Sequence, residues 1–364
     1  MFNRITCLLS NATDIEEFLT YELAPQPPSL FKDGVMRKPT KSSLGNILKS
    51  YTEPHANIPG NAVFVVDGGH LLHTVVWPEG GTYRDVCNAY ITYTQNHFGG
   101  GSTIVFDGYA SKNSTKECEH RRRAMKKTSS DIMFDLNMPT TTSQASFLAN
   151  SNNKKRIINF LHEEMLLAGF HVRQAEADAD SLIISTALTT AEIEQVPVIV
   201  AGSDTDLLVM LVAQAPISSE IYMLCSQTPL KLFQVKNIQL SIGETSKHVM
   251  SIHALTGCDT VSAIHRQGKR KVFNHIHNKR NYYLLDTFTN KYSTHYEVQA
   301  AGEVFIKKLY GAEKYNTLDN YRHIAYRQSV RRASLGSSFD LANLPPTSAA
   351  AKQHSFRAYH TVQG

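Results

Sequence analysis

The sequence predicts an α/β protein built on a mainly parallel sheet. Three observations carry this: short β-branched apolar runs recur, three of them run directly into Asp and Gly, and segments of helical length separate them. Strand, helix, strand in alternation is the grammar of parallel pairing. At 364 residues the chain exceeds one ordinary domain of roughly 100–200 residues, so one large domain with appendages and two domains are both open.

Residues 1–60 are mixed: a helical candidate at 14–21, the stretch APQPPS, a Lys-, Pro- and Ser-bearing linker at 36–43 and a short helix at 44–51. They are expected to pack loosely. Order begins with NAVFVVDGG at 61–69, an apolar run ending on Asp67 and a glycine pair, as a buried strand entering a tight turn should. A helix at 83–98 leads to a second strand, STIVFDG, at 102–108. A basic helix candidate, KECEHRRRAMKK, follows at 116–127, then a Thr/Ser/Asn-rich passage at 128–153 with little periodicity. An insertion of that length inside a domain is expected to be functional or mobile. The next helix, 154–168, places Ile157, Ile158, Leu161, Met165 and Leu166 near the helical repeat. A short strand at 170–173 precedes AEADADSLIISTAL, a helix opened by acids, and VPVIVAGSDTD at 196–206 is a strand running into a helix. IYMLC at 221–225, a helical 251–255 and TGCDTVSAIHRQGKRKVF complete the ordered part, and the Ala/Ser/Pro-rich chain from 333 onward is expected to be a flexible tail.

Apolar residues are 42% and charged residues 19% of the chain, ordinary for a globular protein. A net charge of +5 weakly favours an anionic partner. No apolar run approaches the roughly 18 residues that cross a bilayer, and no signal cleavage site follows the start, so the expectation is a soluble, intracellular chain without a membrane partner. Cys7, Cys87, Cys118, Cys225 and Cys258 are odd in number, contain no CxxC and read as reduced thiols.

In an open parallel sheet, ligands collect beyond the carboxyl ends of the strands, and the acids fall there. Asp67 ends FVVDGG, Asp107 ends IVFDG, Asp204 and Asp206 follow VIVAG, and Glu176, Asp178 and Asp180 open a helix. Each has a plain reading: an Asp before Gly is a turn residue, and an Asp at a helix start is a cap or dipole partner, Asp206 included. EADAD read alone is a solvated first turn. Recurrence at three strand ends and one helix start in a single sheet is what singles them out. Crowded carboxylates raise one another's pKa, so something positive must balance them. Hard divalent cations such as Mg²⁺ or Mn²⁺ take oxygen ligands, and a pair about 3.5–4 Å apart assists phosphodiester cleavage.

Other sites are poorer. His70 and His73 flank LL without a third ligand and read as surface or core residues; His275 and His277 point to different faces of a helix; Tyr282 and Tyr283 read as core. No Walker loop, GxSxG or GxGxxG appears.

In order, FVVDGG, IVFDGY, AEADAD, AGSDTD and TGCDTVSAIHRQGKRKVF resemble the motifs of the flap endonuclease (XPG) branch of the PIN-like nuclease superfamily, asteroid-type proteins included, over roughly residues 61–275. The resemblance implies a three-layer PIN-like core at 61–250, an arch or cap insertion at about 116–155, and a helix-two-turn-helix with C-terminal helices at 251–332. It implies a structure-selective nuclease for DNA or RNA, acting at branched or single-strand/duplex junctions, monomeric and nuclear, using two Mg²⁺ or Mn²⁺ ions. Asp67, Asp107, Glu176 and Asp178 would serve one ion; Asp204, Asp206 and Asp259 would serve the other. Arg121, with Arg122 and Arg123, would lie near the scissile phosphate, although RRR alone also reads as a solvated basic face. Arg266, Gly268, Lys269, Arg270 and Lys271 would grip duplex backbone. Arg266 stands where a second glycine is typical, about 60 residues precede Asp67 where the family begins almost at once, and no QxxLxxFF tail is visible. The alternative is a catalytically silent PIN-like module that binds nucleic acid or protein.

Overall fold

The computed structural model describes residues 12–108, 129–176, 178–334 and 340–364. The chain forms two compact units, one from 1–47 with 242–364 and one from 48–241.

In the first unit, β1 (Phe31–Lys32) and β2 (Val35–Met36) pair antiparallel around Asp33 and Gly34, both at positive φ (52° and 79°), the conformation that Asp-Gly hairpin turns supply. The segment does not pack loosely. Leu19, Leu30 and Leu44 are fully or almost fully buried, and Leu19 joins a cluster with Ala325 and Leu344. Arg322, 2% exposed, fastens the segment: its guanidinium donates to the carbonyls of Leu19 (2.7 Å), Tyr21 (3.3 Å) and Pro345. The C-terminus is likewise not a frayed tail. Helix Ser348–Gln363 packs on His295–Tyr310 with Ala351, His354, Ser355, Ala358 and Tyr359 buried. The small residues that resembled a flexible tail are what let two helices approach.

In the second unit a six-stranded sheet has the order β5-β4-β3-β6-β7-β8. The strands are β3 (Val63–Asp67), β4 (Thr103–Phe106), β5 (His171–Gln174), β6 (Val198–Ala201), β7 (Ile221–Gln227) and β8 (Leu230–Gln234), all parallel to their neighbours except the antiparallel β7–β8 pair. Val65, Val66 and all four residues of β6 are buried, which is why these strands are continuous apolar runs rather than alternating ones. Residues 129–153 do not form a free insertion. Tyr83 N–H donates to Met138 O (3.1 Å), Phe134 stacks on Tyr83 at 3.8 Å, and Phe147 is fully buried. Three or four aromatic and aliphatic anchors among many Ser, Thr and Asn residues suffice to hold the passage down. Among the described residues no helix is long and apolar enough to cross a membrane.

Candidate active site

From β3 the chain winds to β4 and β5 on one side, and β6 and β7 lie on the other. The winding therefore reverses between β3 and β6, where open α/β sheets have a crevice beyond the strand ends. Asp67 is the last residue of β3, Asp107 follows β4, Asp204 follows β6, and Glu176 and Asp178 follow β5. Four neighbouring strand ends thus carry acids.

Asp67 caps helix Gly68–Thr74: its Oδ1 accepts from the backbone N–H of Gly69 (2.8 Å) and of His70 (3.2 Å). Burial pushes the carboxyl up to about 6, the nearby Asp107 and Asp204 charges push the same way, and the two backbone hydrogen bonds oppose. A Cβ added at Gly69 would stand 3.1 Å from Asp67 Oδ1 and 3.7 Å from Asp107 Oδ2. The two carboxylates border one small space. A Cβ on Gly202 would stand 3.6 Å from Asp67 Oδ2, so Asp67 is hemmed from the β6 side as well.

Asp107 is held at both oxygens. Oδ1 accepts from Ala179 N–H (3.2 Å) and Oδ2 lies 3.8 Å from Lys154 Nζ, a side chain only 13% exposed. The neighbouring Gly108 lets the acidic loop close in: a Cβ there would fall 2.0 Å from Ala175 O and 2.3 Å from Glu176 O. Glu176 and Asp178 are exposed at this loop. Asp204 caps helix Thr205–Gln214, its Oδ1 accepting from Asp206 N–H at 3.1 Å, and Asp206 sits in the first turn. Capping and cation binding are compatible, since each capping contact uses one of two carboxylate oxygens.

Two histidines border the cluster. His70 Nδ1 is 3.3 Å from Ser203 Oγ, and His73 feels the Lys154 charge. Burial lowers the pKa of both, so both are neutral at pH 7; His73 lowers His70 further and Lys154 lowers His73 further.

The structure brings Asp67, Asp107 and Asp204 together, with Glu176 and Asp178 at the adjoining strand end and Asp206 one turn into its helix. Asp259 belongs to the other unit, where its Oδ2 pairs with Lys41 Nζ at 2.7 Å. There Gly257, at φ +101°, sets the turn that carries Asp259, and a Cβ on it would stand 2.7 Å from the Ala263 backbone. Arg266, Gly268, Arg270 and Lys271 are exposed. Lys269 corrects an expectation: it is 2% exposed, and its ammonium donates to His253 O (2.9 Å), Gly257 O (2.6 Å) and Thr256 Oγ1 (3.1 Å). It is an internal brace at the end of helix Val249–Leu255 rather than a surface contact for phosphate. Arg121, Arg122 and Arg123 lie outside the described residues.

Sequence reasoning missed Lys154 and Lys41. For Lys154 a signal existed: helix Ser151–Leu167 carries Lys154, Lys155 and Arg156 from its fourth residue on and no acid in its first turn, which opposes the helix dipole unless a carboxylate compensates.

The donor set is all oxygen, which suits a hard divalent cation, and the space bordered by Asp67 and Asp107 is open at Gly69. Among the described residues no three His, Cys, Asp or Glu side chains close on one point as a finished metal site. No family model matches the sequence, and no curated protein matches it. Among solved structures, the D15 protein of bacteriophage T5 co-crystallised with metal ions is similar, with 11% identity, 83% of this chain and 99% of that chain covered, and a TM-score of 0.42. The catalytic core of Rad2 in complex with DNA substrate is similar at 14% identity, with 77% and 83% covered and a TM-score of 0.40. The zinc-bound T5 5′-exonuclease is similar at 12% identity, with 82% and 100% covered and a TM-score of 0.39. Likeness at this level fixes neither chemistry nor substrate, which rest on the chain's own carboxylates.

Proposed function

We propose that this chain is a divalent-metal-dependent nuclease that hydrolyses phosphodiester bonds of DNA or RNA in a structure-selective manner. The observation that carries the reading is the gathering of Asp67, Asp107 and Asp204 at the β3/β6 reversal, with the Asp67 carboxyl pushed up to about 6 by burial and by its acidic neighbours. A cluster held at such a cost is suited to a cation.

Asp67, Asp107, Glu176 and Asp178 would hold one Mg²⁺ or Mn²⁺, and Asp204 and Asp206 a second. When bound, such ions polarise the phosphate and make a water nucleophilic near neutral pH. The backbone hydrogen bonds to Asp67 Oδ1 and Asp204 Oδ1 fix the direction of each second oxygen. Lys154 holds Asp107 in place and keeps a positive charge beside the cluster, where a phosphate would enter.

A second reading, a catalytically silent nucleic-acid-binding module, is favoured by one observation: Asp107 and Asp259 already face lysines. Purified protein incubated with flap, bubble and single-stranded DNA and RNA in Mg²⁺ or Mn²⁺, beside an Asp204→Ala, Asp206→Ala variant, separates the two. The nuclease reading expects cutting by the native chain alone. If neither form cuts while both bind equally, it fails.

A further inference from the structure

The segment before residue 42 does more than pack. Its backbone is joined to the stretch preceding helix Lys269–Lys279: Ala263 N–H donates to Arg37 O (2.7 Å) and His265 N–H donates to Ser29 O (2.8 Å). Arg37 Nε donates to Pro28 O at 2.9 Å, which sets the direction of its guanidinium. Between the two stretches lies a cavity of about 320 Å³ lined by Arg37, Lys38, His265, Arg266 and Arg270, with no carboxylate and no Phe, Tyr or Trp among the lining residues.

Several features fix this basic lining in place. Arg266 adopts φ +59°, an uncommon left-handed setting for a side-chain-bearing residue. Helix Lys269–Lys279 begins at Gly268 with no side-chain cap, and the space a Gly268 Cβ would occupy is open. The buried Lys269 ammonium anchors the hairpin to the carbonyls of His253 and Gly257. Burial lowers the His265 pKa first, and the Arg37 and Arg266 charges lower it further; Asp340, 3.8 Å from His265 Nε2, is the acid that faces it among the described residues and opposes them.

We infer that Arg37 and Lys38 of the N-terminal segment, with Arg266, Arg270 and the start of helix Lys269–Lys279, form a binding pocket for a phosphodiester of the nucleic-acid backbone. Guanidinium groups match phosphate oxygens in pairs, and helix-start N–H groups favour anions. With no Phe, Tyr or Trp platform and a lining dominated by guanidinium and ammonium groups, the cavity suits phosphate oxygens, so contact is to backbone and independent of sequence. The inference rests on the nucleic-acid reading above and adds the N-terminal segment to the substrate surface.

The test uses the full chain in EDTA, so that no cleavage intrudes, with fluorescence anisotropy of a short fluorescein-labelled DNA duplex at several salt concentrations. Arg37→Gln and Lys38→Glu are each measured beside Arg266→Glu, with a thermal melt of every variant. Lys38 is exposed, so Lys38→Glu reports even if Arg37→Gln disturbs folding. The expected result is about tenfold weaker binding per variant, a log–log salt slope lower by about one per contact, and equal affinity for duplexes of unrelated sequence. Native affinity and slope in both Arg37→Gln and Lys38→Glu overturns the inference, whether or not the protein cleaves. Stabilisation by inorganic phosphate without duplex binding overturns it in favour of the free ion. Loss of cleavage in Asp204→Ala, Asp206→Ala with duplex binding intact leaves it standing, so this inference and the nuclease reading fail separately.

Discussion

Lys41 Nζ lies 2.7 Å from Asp259 Oδ2, joining the segment before the first long helix to the acid of the TGCDT motif. The two side chains are 25% and 21% exposed, so the pair is shielded enough to exceed an ordinary surface ion pair, at about 1 kcal/mol. Lys41→Met is therefore expected to lower thermal stability by a few degrees, since it takes away the cation that faces a partly buried carboxylate. A thermal melt beside the native chain checks this, and an unchanged melting temperature means that the pair adds nothing to the fold.

The Asp67 carboxyl gives a pH signature. Its folded pKa, about 6, lies above the model-peptide value of 3.8, so between these values the folded chain holds a proton that the unfolded chain has released. Stability from this group is full below about pH 4 and is lost as pH rises to about 6, a loss on the order of 1–3 kcal/mol. Asp67→Asn should remove that loss. Urea unfolding in EDTA from pH 4 to 7 measures it, and Mg²⁺ or Mn²⁺ should restore stability to the native chain above pH 6 but not to the variant.

His354 acts in the opposite sense. It is wholly buried, Nε2–H donates to Leu255 O at 3.0 Å, and burial lowers its pKa to about 4 from the ordinary 6.5. Its contribution is full above pH 6.5 and is lost as pH falls toward 4, because the unfolded chain gains a proton there that the folded chain refuses. His354→Gln should flatten the acid limb of the stability curve while lowering stability at pH 7 by about 1–3 kcal/mol through a changed buried hydrogen bond.

How much of this was legible follows from where the information lies. VVDGG, VFDG and VIVAGSDTD carry local signals, apolar β-branched runs stopped by Asp and Gly, so the strands, their parallel order and the acids at their tips could be read. The lysines that face those acids could not. Lys154 and Asp107 are 47 residues apart in sequence, Lys41 and Asp259 are 218 apart, and neither lysine sits in a pattern that names its partner. The ends of the chain were misread for a related reason. Arg322 and the small face of helix Ser348–Gln363 order segments whose own composition looks loose.

Gly108 offers the sharpest test of how the site is positioned. Its α-carbon lies so near the acidic loop that an added Cβ would fall 2.0 Å from Ala175 O and 2.3 Å from Glu176 O, both backbone atoms that no rotamer change can move aside. Gly108→Ala must therefore shift residues 175–176, and with them the Ala179 N–H that holds Asp107 Oδ1. A loss of roughly 2–4 kcal/mol in stability is expected from such overpacking, together with loss of cleavage. Gly69→Ala is the comparison: its Cβ meets only carboxylate oxygens at 3.1 and 3.7 Å, so the fold should stand while the space between Asp67 and Asp107 fills. Denaturant unfolding and Mn²⁺ binding by calorimetry separate them. Gly108→Ala should fail in both, Gly69→Ala in metal binding alone, and equal stability loss in the two would mean that the space between the carboxylates is structural rather than a cation's place.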